Sequence, residues 1–409
     1  MKKLYLILCA GILALAAVSC NKDVKPAKPM SATEIKQKLA NTAVDAINEV
    51  DPDNWTPWVK TGREVISAFK EVEPGNIDAF RKDLNTAIQS IVEKDGKTFT
   101  TTLLQLSLIK GDITVENNAF KYTKSNNLLN ITFPYGGKTY KVQVESVGES
   151  SDGIIIISRE YEDEVYIAKA VVPTTAALHV TENGKLFLDV VVNPVVEDKN
   201  KNGVLDDADA IKGSATIQIP DYSLALNDMY ISDLEVKAAV TLSHANKSVL
   251  GIFGQADMDL LVERVKAIES YSINYIPKAL TGNVSILGGT ALVKSNVNVE
   301  KLPKSLNATY ETEDEAKSAA ATIAQNLKAD LYFDNNPTIQ ASLCVMVQKN
   351  VSTGWDVVAG VHLYDGSADV PASEFFDLRD EVWKPVVGKA TSFVTKIKEY
   401  FGGEQPAAQ

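Results

Sequence analysis

His179-Val180-Thr181-Glu182-Asn183-Gly184-Lys185-Leu186-Phe187 carries the pattern that sets the fold class. Apolar and polar residues alternate on both sides of Asn-Gly, the dipeptide suited to the left-handed backbone of a two-residue hairpin turn. The same period of two extends outward. Upstream it recurs in Phe99-Thr100-Thr101-Thr102-Leu103, Ile113-Thr114-Val115, Ile131-Thr132-Phe133 and Tyr140-Lys141-Val142-Gln143-Val144. Asn117-Asn118 and Gly136-Gly137 form tight connectors between them. The unbroken run Ile154-Ile155-Ile156-Ile157 predicts a strand buried on both faces. Downstream, Ala215-Thr216-Ile217-Gln218-Ile219 and Val236-Lys237-Ala238-Ala239-Val240 continue the alternation. Neighbouring strands joined by short turns pair antiparallel, so a meander of hairpins is expected.

Helical periodicity brackets this region. Ser31-Ala32-Thr33-Glu34 is a capping box, followed by Ile35, Leu39, Ala43, Ile47 and Val50 at helical spacing. Pro57 suits the first turn of a second helix with Val59, Ile66, Phe69 and Val72 on its stripe. After a break at Pro74-Gly75-Asn76, the residues Ile77, Phe80, Leu84, Ile88 and Ile91 mark a third. Further helices are expected over 256–268, 313–328 and 382–401. Strands fall around 283–299, a hairpin pairs 329–334 with 338–348 through Asn335-Asn336-Pro337, and another strand covers 355–363. The fold class is therefore α+β: a large antiparallel sheet covered by N-terminal, central and C-terminal amphipathic helices.

The chain of 409 residues, with formal net charge −12, is long enough for one large domain or two smaller ones. Its acidity argues against nucleic-acid binding, which needs a basic face. At the N-terminus, Met1-Lys2-Lys3 precedes a short apolar run and then Ala17-Val18-Ser19-Cys20. The run is short for a membrane span, which takes about 20 apolar residues. It reads as a cleaved export signal with acylation, such as palmitate, at Cys20. Cys9 is lost with the signal, leaving Cys344 as the one other cysteine, within an apolar strand that suits an inert thiol. The segments read as 1–19 signal peptide, 20–30 flexible tether, 31–97 helical segment and 98–250 antiparallel β region. A second α+β region at 251–403 packs on the same body, and 404–409 is a disordered tail.

The start Ser19-Cys20-Asn21-Lys22-Asp23 resembles lipoproteins of the Bacteroidetes, in which a lysine-acidic pair near the lipidated cysteine accompanies export to the cell surface. Phe133-Pro134-Tyr135-Gly136-Gly137-Lys138-Thr139-Tyr140 and Thr181-Glu182-Asn183-Gly184-Lys185 resemble hairpins of uncharacterised Bacteroidales lipoproteins. The resemblance implies an outer-membrane protein held by its lipid, facing the periplasm or the cell surface. It implies no activity.

One constellation carries metal chemistry. In Asp198-Lys199-Asn200-Lys201-Asn202-Gly203-Val204-Leu205-Asp206-Asp207-Ala208-Asp209, oxygen ligands fall at positions one, three and five, and glycine makes the turn at six. The Val204 carbonyl, Asp206 and Asp209 follow at seven, nine and twelve, which suits a hard cation such as Ca2+. The loop resembles those of EF-hands and dockerin-type repeats, although its strand-like flanks do not make a helix-loop-helix. The competing reading is a polar hairpin loop.

No other motif indicates chemistry. His179, His244 and His362 are far apart, without zinc spacing, and no nucleophile elbow or phosphate-binding glycine fingerprint is present. Acidic pairs such as Glu162 and Glu164 could serve a glycosidase, but read better as a solvated edge. Trp55 and Trp58, which could stack on a sugar, read better as local packing. The expectation is a non-catalytic, lipid-anchored envelope protein that binds a carbohydrate, lipid or protein ligand, or is structural. The alternatives are a carrier of hydrophobic ligands in a sheet-helix cavity and, last, a polysaccharide hydrolase.

Overall fold

The computed structural model describes residues 26–89, 106–126, 128–161, 164–201, 209–232, 234–258, 277–303, 309–350 and 354–401. The readings at Cys20, at 99–103 and at Asn202, Val204, Asp206 and Glu162 lie outside them, as does most of the helix expected over 256–268. The described residues form α1 (Ala32–Glu49), α2 (Pro52–Glu71) and α3 (Asp78–Gln89), eighteen strands of which the first lies between α2 and α3, and α4 (Glu313–Asn326), α5 (Ala372–Phe375) and α6 (Lys384–Phe401) in the second half. The class is α+β, with a mixed and mainly antiparallel sheet. Two compact units divide the chain: Pro57–Asp233, and Met1–Thr56 with Leu234–Gln409.

The middle unit contains β1 (Glu73–Asn76), β2 (Gly111–Glu116), β3 (Ala119–Lys124), β4 (Leu129–Tyr135), β5 (Lys138–Tyr161), β6 (Glu164–Glu182), β7 (Lys185–Glu197), β8 (Ala210–Ile219) and β9 (Tyr222–Ser232). Strands β4 to β9 form the expected meander. The turns behave as their residues dictate: Asn117, Asn118, Gly136, Gly137, Asn183 and Gly184 all have positive φ. Two pairings are parallel and correct the purely antiparallel expectation: β1 with β3, and β2 with β4. Strand β1 is the Pro74-Gly75-Asn76 stretch, read from sequence as a break. Gly75, at φ +54°, brings the backbone against Phe120, where a Cβ would collide with the Phe120 carbonyl oxygen. Helix α2 also starts earlier than expected, with Pro52 as its first residue and Pro57 inside it. Val65, with Trp58 and Phe69 partly buried beside it, packs on Phe133, Tyr140, Val180 and Phe187. Trp58 packs against Phe187 with ring centres 4.8 Å apart and planes tilted by 36°, so this tryptophan packs into the core.

The terminal unit contains β10 (Glu235–His244), β11 (Lys247–Asp257), β12 (Ala279–Ile286), β13 (Ala291–Asn298), β14 (Thr309–Tyr310), β15 (Leu327–Phe333), β16 (Ala341–Lys349), β17 (Trp355–Leu363) and β18 (Val370–Pro371). Its sheet runs β10-β11-β12-β13-β15-β16-β17, with the two-residue strands β14 and β18 on β17. Ala256 and Asp257, expected to begin a helix, end strand β11. The Ser31 capping box forms as written in the sequence, and Thr312 caps α4 in the same way through Glu315. Ile35 of α1 is fully buried among Ala291, Val293, Leu331, Phe333, Val361 and Phe375. Ala316, Ala320 and Ile323 of α4 lie on Val357 of β17. Small residues on that helix face let the backbone approach the strand closely.

Candidate functional site

In each unit the strands have a face opposite the apolar core, and the middle unit's bears a row of polar side chains. Alternation explains its composition: Ile113, Leu129, Val144 and Val180 are buried, so Asp112, Asn130, Gln143, Glu145 and His179 project the other way. Register explains the linkage. Asn130 donates to Asp112 Oδ1 at 2.9 Å, and Gln143 donates to Asn130 Oδ1 at 3.1 Å. Gln143 lies opposite His179, which lies opposite Asp189. The two His179 ring nitrogens face carboxylates: Nδ1 meets Asp189 Oδ1 closely, and Nε2 lies 3.4 Å from Glu145 Oε1. A second row continues toward β8, with Thr175 donating to Asn193 at 2.8 Å and Asn193 donating to Ser214 at 3.1 Å.

The same face leads to the sequence-predicted calcium loop. Asp198, Asn200 and Asp209 lie in described residues at its two ends. Asp209, 3% exposed, accepts the Lys199 backbone N–H at 2.8 Å. This ties loop position twelve to position two through a hydrogen bond. Lys199 Nζ lies 3.0 Å from the Tyr230 hydroxyl, and Lys212 Nζ lies 2.5 Å from Glu197. Both ammonium groups sit near the Tyr230 ring, 5.6 and 5.7 Å from its centre. The Lys199 bond holds the Tyr230 phenol below its ordinary pKa and raises that of Lys199. Among the described residues no group of three His, Cys, Asp or Glu side chains is arranged to hold a metal.

On the terminal unit, the face opposite its core carries a second polar cluster. Ser342 lies opposite His362, and Cys344 lies opposite Gly360. Ser342 Oγ donates to Asp330 at 2.5 Å and lies 2.9 Å from the Tyr364 hydroxyl. His362 Nδ1 lies 2.7 Å from Asp369. Burial first, then the charge and hydrogen bond of Asp369, push the Cys344 thiol up to about 12. A thiol so placed stays protonated at neutral pH and is a poor nucleophile. His362 is oriented by the same carboxylate, so Cys344, Asp369 and His362 do not form a thiolate-imidazole pair.

These arrangements present fixed donors and acceptors on sheet faces. In the middle unit both His179 ring nitrogens face carboxylates, Asp189 on one side and Glu145 on the other. His244 is likewise held, by Glu49 at 2.6 Å. Sequence reading treated the three histidines as isolated. The missed signal is the outward-facing series Asp112, Asn130, Gln143, His179 and Asp189, which alternation reveals strand by strand but only register aligns.

Two apolar features bear on hydrophobic ligands. A cavity of ≈ 60 Å³ in the terminal unit is lined by Leu39, Val284, Val293, Leu331, Val361 and Phe375. Sites for drug-sized ligands run to roughly 300–1,000 Å³. In the middle unit, Ile217 and Leu224 lie opposite one another on β8 and β9 and are 44% and 43% exposed, with Ile231 on the same face at 38%. Compared with protein-family models, curated proteins and solved structures, the chain matches none.

Proposed function

We propose that this chain is a lipid-anchored, non-catalytic envelope protein that binds a polar ligand on the middle unit's hydrogen-bonded face. The observation that supports binding is the row Asp112-Asn130-Gln143-His179-Asp189. Its side chains are partly exposed and mutually oriented, so ordering them for a ligand costs little entropy. Donors alternating with acceptors suit a hydroxyl-rich partner, of which a surface glycan is the natural class for the envelope. The Ser19-Cys20-Asn21 start supports anchoring to the outer membrane. No described helix is long and apolar enough to cross a membrane. Calcium at 198–209 would brace the loop beside this face.

The test is titration calorimetry of the mature protein against a panel of envelope and host polysaccharides, repeated with His179→Ala and Asp189→Asn. Binding that is lost in both variants while their melting curves stay native supports the reading. Binding that is unchanged in both, or no binding across the panel, overturns it. A second reading, carriage of an acyl-chain ligand, is favoured by the exposed Ile217, Leu224 and Ile231. Mass spectrometry of the natively purified protein would detect such a cargo.

A further inference from the structure

The outward face of the terminal unit's strands carries an aromatic ring laid among polar groups. Val293, Leu331, Ala341, Val361 and Leu363 are buried in the core, so Lys294, Asp330, Ser342, His362 and Tyr364 project from the other side. Register sets four of these side chains in one row. Lys294 of β13 lies opposite Asp330 of β15, Asp330 opposite Ser342 of β16, and Ser342 opposite His362 of β17. Three strand spacings make the row about 14 Å wide. Tyr364 follows two residues after His362 and so stands on the same face.

The ring's orientation follows from its bonds. Ser342 has one hydroxyl proton and donates it to Asp330 Oδ1 at 2.5 Å. The Tyr364 hydroxyl, 2.9 Å from Ser342 Oγ, is therefore the donor in that pair. Its backbone follows the end of β17 while its hydroxyl reaches β16, so the ring lies across the strands. At 41% exposure it shows a face to solvent. The His362 ring stands nearly perpendicular to it, at 83° with centres 4.8 Å apart. Asp369 holds His362 Nδ1 at 2.7 Å, which leaves Nε2 as the acceptor of the neutral imidazole. The face thus offers carboxylate and imidazole acceptors beside the ring. Farther along the row sits the Lys294 ammonium, 4.8 Å from the centre of the Tyr332 ring.

We propose that this face is a saccharide-binding site of the terminal unit. The C–H face of one sugar ring packs on Tyr364, and its hydroxyl groups donate to Asp330 and His362. An aromatic face with acceptors at its rim matches a ligand that is apolar across its ring and hydroxylated around the edge. A cationic ligand would use the same ring and carboxylates, but the Lys294 ammonium in the row opposes it. Tyr364, Ser342 and Asp330 already hold one another, so ordering them for a ligand costs little entropy. Every residue involved belongs to the terminal unit. The site is therefore separate from the middle unit's polar row, and it does not depend on acylation.

The test screens the mature protein on an array of bacterial and host glycans, then follows a bound oligosaccharide by NMR. Ring resonances of Tyr364 and His362 should move on addition, and Tyr364 ring protons should show contacts to sugar C–H protons. Tyr364→Ala should weaken binding about tenfold or more. Asp330→Asn should weaken it several-fold, and Tyr364→Phe, which keeps the ring, far less than Tyr364→Ala. His179→Ala, in the other unit, should leave the Tyr364 shifts unchanged. No bound glycan, a glycan that leaves the Tyr364 and His362 resonances still, or undiminished affinity in Tyr364→Ala overturns the inference. Binding lost in His179→Ala and kept in Tyr364→Ala assigns the glycan to the middle unit's row, which overturns this site and leaves that reading standing. Choline chloride that moves the same resonances more than any sugar at equal concentration marks a cation site and overturns it too. Should Tyr364→Ala fail to fold, the ring shifts of the parent and the affinity of Asp330→Asn decide the outcome.

Discussion

Replacing Ile35 with alanine tests the placement of α1 on the terminal sheet. Ile35 has no exposed surface and touches a core built from residues 291 onward. Truncation removes three carbons, worth roughly 2.4 kcal/mol at about 0.8 kcal/mol per buried methylene. An unrelaxed void of about 50 Å³ adds roughly 1 kcal/mol. The expected loss is therefore about 3 to 4 kcal/mol, within the usual range for such changes. Relaxation is limited because the neighbours are strand residues held by register and Phe375 is itself buried. Ile66→Ala, at a residue 57% exposed on α2, should cost below about 0.5 kcal/mol. Urea unfolding measures the difference, and hydrogen exchange localises it. Amides of Val293, Leu331 and Val361 should exchange faster, while those of Val142 and Val180 should not. A loss under about 1 kcal/mol would refute the reasoning, since it lies below the transfer term alone. So would acceleration confined to the middle unit.

Three other outcomes follow from named contacts. Asp51 is held below the ordinary carboxylate pKa, first by the Lys396 hydrogen bond and then by the Asp53 amide, and Lys396 is raised by Asp51 and Asp53. Because the folded Asp51 pKa lies below the unfolded one, its stabilisation is complete above about pH 4 and is lost as pH falls through the folded value. Lys396→Met should flatten that acid limb and move the Asp51 carboxyl titration, followed by NMR, upward. The Cys344 thiol, pushed up to about 12, should resist iodoacetamide at pH 8 in the folded protein and react once unfolded. Asp369→Asn should lower its pKa and speed the folded-state reaction. For the 198–209 loop, calcium binding predicts a higher melting temperature that chelator and Asp198→Ala both abolish. Asp209→Ala should cost about 1 to 3 kcal/mol with or without calcium, because it leaves the Lys199 N–H without its acceptor. A melting curve insensitive to chelator in the parent removes the metal, and a silent Asp209→Ala removes the structural role.

The sequence by itself determined the features governed by a few consecutive residues. Asn117-Asn118, Gly136-Gly137 and Asn183-Gly184 are turns because these residues tolerate positive φ, and the structure has it at each. Ser31 with Glu34, and Thr312 with Glu315, cap their helices because the bonds span three residues. Strand β17 was legible at both ends, since alternation needs no distant partner to be read. The tertiary structure decided everything that depends on register or on which apolar stripe meets which sheet. Three amphipathic helices in a row looked alike, yet Ile35 packs among residues 291–375 while Val65 packs among residues 133–187. Pro74-Gly75-Asn76 reads locally as a break, and pairing with β3 makes it a strand. The polar row joins residues tens of positions apart, and the Ala27 and Met30 amides bond Thr338 and Gln340 from the far end of the sequence. Local sterics act on each dihedral separately, whereas burial and strand register are settled by the chain as a whole.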